Sequence, residues 1–346
     1  MREFYIGDRR IADDEPPYVV AEIGSNHCGD KETAFQLVKE AHACQCDGVK
    51  FQRRHNKELY TDMLYNQPYC SENAYGATYG EHREALELPL VVMRECKDMA
   101  EGLGMHMFST AFDFLSVDDL LEIGVPCIKI ASGDIKNIPL IQYASAAGAP
   151  LIISTGGATL EDCQRAADAC LSPFALLHCV ASYPNQPHEM NLTAITTMRA
   201  AFPDTVIGLS DHYNGICMSF AAYVLGASIF EKHFTLNHTW KGTDHALSLQ
   251  PEGMRRMTRD LKRLMLACGD GVKRLLDSEK GPIYKMGKGL YFRNDMHAGD
   301  EVHAEDLDIL SPADGLSPHE ADKILGRTLA CDVQRQQPVT QGVFNV

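Results

Sequence analysis

The sequence predicts an α/β fold, a (β/α)8 barrel of the TIM type followed by a small β-rich module. Three observations predict it. Eight short apolar runs, each bounded by turn residues, alternate with segments of helical spacing from residue 18 to about 268. After about residue 282 the texture changes to short apolar pairs between turn signals such as "AGD", "ADG" and "LSP". A chain of 346 residues, 45% hydrophobic, is long enough for one barrel and an appendage. The expected domains are 1–281 and 282–346.

The eight strands are expected at "YVVAEIG" (18–24), "DGVKFQ" (47–52), "MHMFST" (105–110), "VPCIKIAS" (125–132), "APLIISTG" (149–156), "FALLHCV" (174–180), "TVIGLS" (205–210) and "SIFEKHF" (228–234). Between them lie helical segments such as "KETAFQLVKEAHACQ" and "TLEDCQRAADACL", several with Ser, Thr, Asp or Asn at a cap position. "PEGMRRMTRDLKRLMLACG" is the closing helix. One long interruption, 53–88, follows strand two. It is polar and rich in tyrosine, which favours an ordered lid or substrate loop over a disordered excursion.

The formal charge of −15 argues against a nucleic acid or an anionic membrane as partner, so any anionic ligand needs a few specific cations. No apolar run reaches spanning length, and "MREFYIGDRRIADDEPPYVV" lacks the pattern of a signal peptide, so a cytoplasmic location is expected. The twelve cysteines are scattered and read as reduced core thiols; Cys44 and Cys46 form a C-x-C pair without further ligand pairs at zinc spacing.

In a barrel of this kind the carboxyl ends of the strands carry the site. Ionisable and polar residues collect there: Glu22, Lys50 and Gln52, Ser109 and Thr110, Lys129 and Ser132, Ser154 and Thr155, His178 and Tyr183, Ser210, Asp211 and His212, then Glu231, Lys232 and His233. Any one of them alone has a satisfied core polar group as its alternative reading. Polar groups near all eight ends are poorly explained that way, because burying an unpaired charge is costly. His212 and His233, at the ends of adjacent strands, are placed to converge on one labile divalent cation such as Mn2+, with Mg2+ or Co2+ as further options. Two polar lining residues without a metal are the alternative. Asp244 and His245 in "GTDHALS" are candidates for sugar hydroxyls or for support of the metal site. Lys50 and Lys129, with Ser109, Thr110, Ser132 and Ser210, make a site for a phosphate or carboxylate.

The strings "VVAEIGSNHCGD", "DGVKFQ", "FSTAFD", "IKIASGD", "ISTGGA", "LLHCVASYP", "GLSDH", "FEKHFTL" and "GTDHALSLQPE", in this order over 18 to about 252, resemble the successive signatures of the sialic acid synthases. This is the N-acetylneuraminate synthase family, which also makes legionaminic and pseudaminic acids. The tail from 285 to 342 is similar to that family's antifreeze-like SAF module. The resemblance implies condensation of phosphoenolpyruvate with an aldehyde sugar, giving a 2-keto-3-deoxy sugar acid and phosphate. It also implies a domain-swapped homodimer in which the small module of one subunit closes over the barrel of the other. It assigns phosphoenolpyruvate contacts to Lys50, Thr110, Lys129, Ser132 and Ser210, and metal ligation to His212 and His233. Glu22, Tyr183 and Asp244 match positions near the sugar and the reacting centre, with Glu22 orienting a water or shuttling a proton.

The departures concern the acceptor. Where the family has an arginine before the proline of an "RPGxG"-like string, this chain has Ser311; Lys288–Leu290 replaces "RRS"; Ala181 stands for a serine or asparagine. An aldehyde sugar other than N-acetylmannosamine is therefore expected, read partly by the 53–88 loop through Tyr79, His82 and Arg83. A solvated helix start is the alternative for "YGEHRE". Arg293 is a candidate replacement for the lost arginine, with an exposed strand arginine as its alternative. Competing readings are a 3-deoxy-octulosonate or heptulosonate phosphate synthase-like condensation, kept open by Arg53 and Arg54, a non-catalytic sugar-binding relative, and a metal-dependent hydrolase.

Overall fold

A short antiparallel hairpin, β1 (Glu3–Ile6) and β2 (Arg9–Ala12), precedes the barrel. Its two-residue turn places Gly7 at φ +59°, the left-handed region that glycine enters without a Cβ penalty. The apolar residues Phe4, Ile6 and Ile11 cluster with Tyr18, Val20 and Phe108 from the barrel strands. This hairpin, absent from the sequence expectation, caps the amino-terminal end of the barrel. The computed structural model describes residues 2–345.

Eight parallel strands follow: β3 (Tyr18–Gly24), β4 (Gly48–Arg53), β5 (His106–Ala111), β6 (Ile128–Ile130), β7 (Leu151–Ser154), β8 (Phe174–Cys179), β9 (Val206–Asp211) and β10 (Ile229–His233). They close into a barrel in chain order, with β10 pairing β3. Register sets polar residues side by side: Glu22 opposite both His233 and Lys50, Thr110 opposite both Gln52 and Lys129. The helices start and stop where local chemistry dictates. Lys31–Ala43 begins at Asp30, whose carboxylate accepts from the Thr33 amide, and Phe114–Ile123 runs from an Asp113 cap to Gly124 at φ +71°. The closing helix Pro251–Cys268 buries Met254, Met257 and Leu261 in the layer between helices and strands.

The 53–88 segment is ordered. It forms short helices at Asn56–Leu59, Asp62–Tyr65 and Tyr79–Glu84, the last opened by a reciprocal Thr78/Glu81 cap. Tyr69 packs on Tyr79 and His82, with ring centroids 5.6 and 4.6 Å apart, and Tyr60 on Tyr79 at 5.1 Å. Such aromatic clustering is what a tyrosine-rich loop can use in place of a helical apolar stripe.

Contacts divide the chain into two units, Met1–Gly269 and Asp270–Val346. In the second, helix Asp277–Met286 precedes the antiparallel pair β11 (Gly289–Phe292) and β12 (Leu307–Leu310). Its own core includes Leu290, Phe292, Val302, Ile324 and Val339. Ser311 accepts from Lys288 Nζ at 2.7 Å, and Arg293 is paired with Asp308 at 2.9 Å. All twelve cysteines are free. Among the described residues, no helix is long and apolar enough to cross a membrane.

Candidate functional site

Strand alternation divides the barrel interior into an apolar floor and a charged mouth. Near the amino-terminal end the inward residues are apolar, among them Val20, Phe108, Ile152, Leu177 and Ile229. Two residues further along the same strands they become Glu22, Thr110, Ser154 and Glu231, joined by Lys50, Gln52, Lys129, Ser210, His212 and His233. These line a cavity of about 560 Å³, completed by Arg54, Arg83, Ser132, Tyr183 and Asp244.

The charges form one network. Lys50 Nζ lies 2.9 Å from Glu22 Oε2, donates to Thr110 Oγ1 at 2.8 Å and stands 3.8 Å from Glu231. Lys129 Nζ donates to Ser154 Oγ at 2.5 Å and stands 3.9 Å from the other Glu231 oxygen. Gln52 donates to Glu22 at 2.8 Å and Ser210 to Glu231 at 3.0 Å. Burial pushes the Glu22 carboxyl up to about 7 against the pull of Lys50, and the Glu231 carboxylate adds to the rise. Burial works on Glu231 in the same direction, but Lys129, Lys50 and the Ser210 hydroxyl hold it down at about 2. Two carboxyls in one cavity are thus driven apart, one ionised and one able to exchange a proton near neutrality. Burial lowers the Lys129 pKa, with Glu231 opposing. Ser132 Oγ accepts from the Gly156 amide at 3.0 Å, which leaves its own proton for a ligand; a Cβ at Gly156 would stand 2.7 Å from that oxygen.

The two imidazoles converge, with ring centroids 5.4 Å apart and Tyr183 stacked 4.0 Å from His212. His212 Nδ1 donates to the Val180 carbonyl at 2.9 Å, which fixes the proton there and leaves the lone pair on Nε2. His233 Nδ1 is buried with no hydrogen-bond partner, 3.9 Å from an Asp244 oxygen. Burial holds His212 at about 4 and lowers His233 as well, so both rings are neutral at pH 7. Among the described residues no group of three His, Cys, Asp or Glu side chains converges on one point, so a cation here would complete its shell with water or substrate.

Three expected contacts fall outside the cavity, one of them His82, whose Nδ1 accepts from the Tyr75 amide at 3.2 Å. Ser109 faces away from the barrel axis, between the inward Phe108 and Thr110, and donates to the Thr110 carbonyl. Tyr79 does not line the cavity but accepts from Arg83 Nε at 3.0 Å, so it positions that guanidinium. His245 is fully buried between Thr235 Oγ1 at 2.7 Å and Cys28 Sγ at 3.4 Å, a supporting place. Among the lining residues, Glu231 and Ser154 have no specific role assigned from the sequence, and Arg54, which keeps the phosphorylated-sugar reading open, lines the cavity as well. The signal was present, since Glu231 and Ser154 share the inward parity of His233 and Ile152. A larger cleft of about 720 Å³ lies at the opposite end, but there His106 is already bonded to Asp8 and Tyr18.

A model of the NeuB family matches residues 37–273, and one of the SAF domain matches residues 287–342. The chain is 32% identical over 337 residues to the N-acetylneuraminate-9-phosphate synthase of Homo sapiens, covering 96% of this chain and 94% of that protein. It is 34% identical over 325 residues to the N,N'-diacetyllegionaminic acid synthase of Legionella pneumophila, covering 91% of each. The solved N-acetylneuraminic acid synthetase of Leptospira borgpetersenii superposes with a TM-score of 0.71 at 31% identity, over 82% of this chain and 95% of that one. With a family model spanning most of the barrel, and relatives above 30% identity matched nearly end to end, the chain belongs to the NeuB family of phosphoenolpyruvate-condensing sugar acid synthases and carries a SAF domain.

Proposed function

We propose that Lys50 and Lys129 seat phosphoenolpyruvate in the barrel mouth, with hydroxyls from Thr110, Ser132 and Ser210 completing its contacts, and that an aldehyde sugar condenses with it there. The single observation that supports these roles is the shared cavity. Two ammonium groups at most 3% exposed, two carboxyls of divergent pKa and two neutral imidazoles meet in it. The lysines offset the phosphate and carboxylate charges by preorganised electrostatics. His212 Nε2 and the unpartnered His233 Nδ1 fit a labile divalent cation, Mn2+ first and Mg2+ or Co2+ as options. When bound, such an ion supplies Lewis-acid polarisation of the sugar's carbonyl.

The enol carbon forms the new bond to the aldehyde carbon, leaving positive charge on the carbon that bears the phosphate ester. Water adds there, and Glu22 as carboxylate takes one of its protons and passes it to the former aldehyde oxygen, which becomes a hydroxyl. The tetrahedral carbon then collapses to the keto group as its remaining hydroxyl proton goes to the departing phosphate and the bond from that carbon to the ester oxygen breaks, releasing inorganic phosphate and the 2-keto acid. Glu231 stays ionised between the two lysines and keeps both ammoniums aimed into the cavity. Tyr183, Asp244 and Arg83 contact the acceptor. The acceptor itself is an aldehyde sugar other than N-acetylmannosamine, a reading supported by Ser311. Relatives at this identity are named for sialic and legionaminic acids, so a heptulosonate-type condensation is not favoured. The synthase domain covers the barrel and the SAF domain the tail, in a domain-swapped homodimer that the family resemblance supports, and the location is cytoplasmic. The test is phosphate release from phosphoenolpyruvate with a panel of hexoses, hexosamines and their phosphates, before and after chelation. Turnover restored by Mn2+ is expected. No release with any sugar refutes the proposal.

A further inference from the structure

The 53–88 segment meets the loop that follows β10 at one corner, and two side chains fasten them together. Tyr75 donates its hydroxyl to the Lys241 carbonyl at 2.5 Å, and Asn73 Oδ1 accepts from the Gly242 amide at 3.1 Å. The Lys241 ammonium stands 4.8 Å from the centroid of the Tyr75 ring, and Cys28 Sγ lies 3.7 Å from the same Lys241 carbonyl. Consecutive backbone groups of the loop, a carbonyl and an amide, thus find their partners on the segment. Side chains add little there. Trp240, Lys241 and Thr243 are all exposed, so the conformation of this stretch depends on its backbone hydrogen bonds rather than on apolar burial.

The other half of the corner is built on helix Tyr79–Glu84. Besides holding the Tyr75 amide through Nδ1, His82 packs its ring 4.6 Å from that of Tyr69 and 6.1 Å from that of Tyr75. Gly76 lets the turn lie directly on the helix, since a Cβ there would stand 2.7 Å from the His82 amide nitrogen and closer still to Glu81 Cβ. From this helix Arg83 reaches the cavity, and from the loop Thr243 and Asp244, the two residues after Gly242, reach it as well. The corner therefore fixes two walls of the cavity relative to each other. The phosphoenolpyruvate contacts proposed above use neither wall. Lys50, Thr110, Lys129 and Ser210 project from β4, β5, β6 and β9, which the ladder of the barrel itself holds in place.

We infer that Tyr75 and Asn73 are positioning residues for the acceptor: their bonds to Lys241 and Gly242 set the separation of Arg83 and Asp244, and with it the affinity for the sugar but not for phosphoenolpyruvate. This rests on the acceptor contacts proposed above for Arg83 and Asp244. Neither Tyr75 nor Asn73 lines the cavity, so they act only through the residues they hold. A sugar binds more tightly to partners already in place, because ordering a loop during binding consumes part of the interaction energy. The two bonds secure adjacent groups of one loop, so breaking either releases the same stretch and the losses do not add.

The experiment compares KM for the sugar with KM for phosphoenolpyruvate. Phosphate release is followed with whichever of mannose, mannosamine, N-acetylmannosamine and their 6-phosphates the wild-type enzyme turns over fastest. Tyr75→Phe and Asn73→Ala should each raise the sugar KM about 10-fold, while kcat and the KM for phosphoenolpyruvate stay within about 2-fold. The double variant should be little worse than either single one. Asn73→Asp, whose carboxylate still accepts from the Gly242 amide, should keep the wild-type value. So should Tyr65→Phe, which removes a hydroxyl of the same segment that is bonded to Glu84 on its exposed side. Amide hydrogen exchange over residues 236–248 should quicken in Asn73→Ala and not in Asn73→Asp. A parallel rise of both KM values, or an unchanged sugar KM in Tyr75→Phe and Asn73→Ala, overturns the inference. It falls alone if Arg83→Gln or Asp244→Asn still raises the sugar KM. If neither of those does, the acceptor contacts proposed above fall with it, and no phosphate release with any of the sugars overturns the condensation as well.

Discussion

Strand β10 carries two buried charge systems that face opposite ways. Lys232 points out of the barrel and pairs with Asp211 at 3.0 Å, both side chains 1% exposed. That pair is closed. Asp211 also accepts from the Tyr213 amide at 2.8 Å and from Ser219, while Lys232 donates to the Tyr213 carbonyl. One residue to either side, Glu231 and His233 point inward and are left incomplete: Glu231 Oε2 has no hydrogen-bond partner, with Lys129 Nζ 3.9 Å away, and His233 Nδ1 has none. Both systems are buried. Burial of charge therefore does not mark a site by itself; unfilled hydrogen-bonding capacity facing a cavity does.

The largest effect expected from this contrast is on the inward side. Lys129→Ala should lower kcat/KM by about 1,000-fold, measured as phosphate release, while thermal unfolding stays close to wild type. A stability loss without loss of turnover in the folded fraction would erase the distinction. On the outward side the effect should be reversed. Lys232→Met leaves Asp211 uncompensated and should cost about 3–5 kcal/mol in denaturant unfolding, and the double variant with Asp211→Leu should recover most of it. Turnover per folded molecule should hardly change in either.

A smaller effect concerns Glu22. With its carboxyl at about 7 and the ionised form taking the proton from water, kcat/KM should rise with unit slope as pH increases toward about 7 and level off above. Glu22→Gln should remove about 100-fold at pH 8 and flatten the profile. A limb that persists in that variant assigns the titration to another group. The smallest effect is that of Ser109→Ala, less than about 3-fold on activity, because its hydroxyl serves the Thr110 carbonyl on the outer face.

The eight strands were legible because each is a short apolar run between turn residues, and all eight appear within a few residues of their expected bounds. The β1–β2 hairpin was not, since four-residue strands rich in arginine and aspartate around "YIGDRRIADD" give no sustained period. In the site, Lys50, Lys129, His212 and His233 were readable from their place at strand ends. Ser109 stands at a strand end like the others, but it is one residue out of phase with Thr110 and so faces outward. Glu231 passed without a role for the complementary reason, as one of three consecutive ionisable residues whose alternation, rather than whose charge, decides which faces the cavity. Arg83 could be suspected from "YGEHRE", but its half-buried pose depends on Tyr79 and hence on the fold of the whole 53–88 segment.

The central claim is that one barrel mouth holds both an enol phosphate and a divalent cation. Its most direct test is the anomalous difference map of crystals soaked with Mn2+ and phosphoenolpyruvate. The account predicts one manganese peak within coordination distance of His212 and His233, with the enol phosphate lying against Lys50 and Lys129. A peak elsewhere, or the enol phosphate bound away from both lysines, contradicts it.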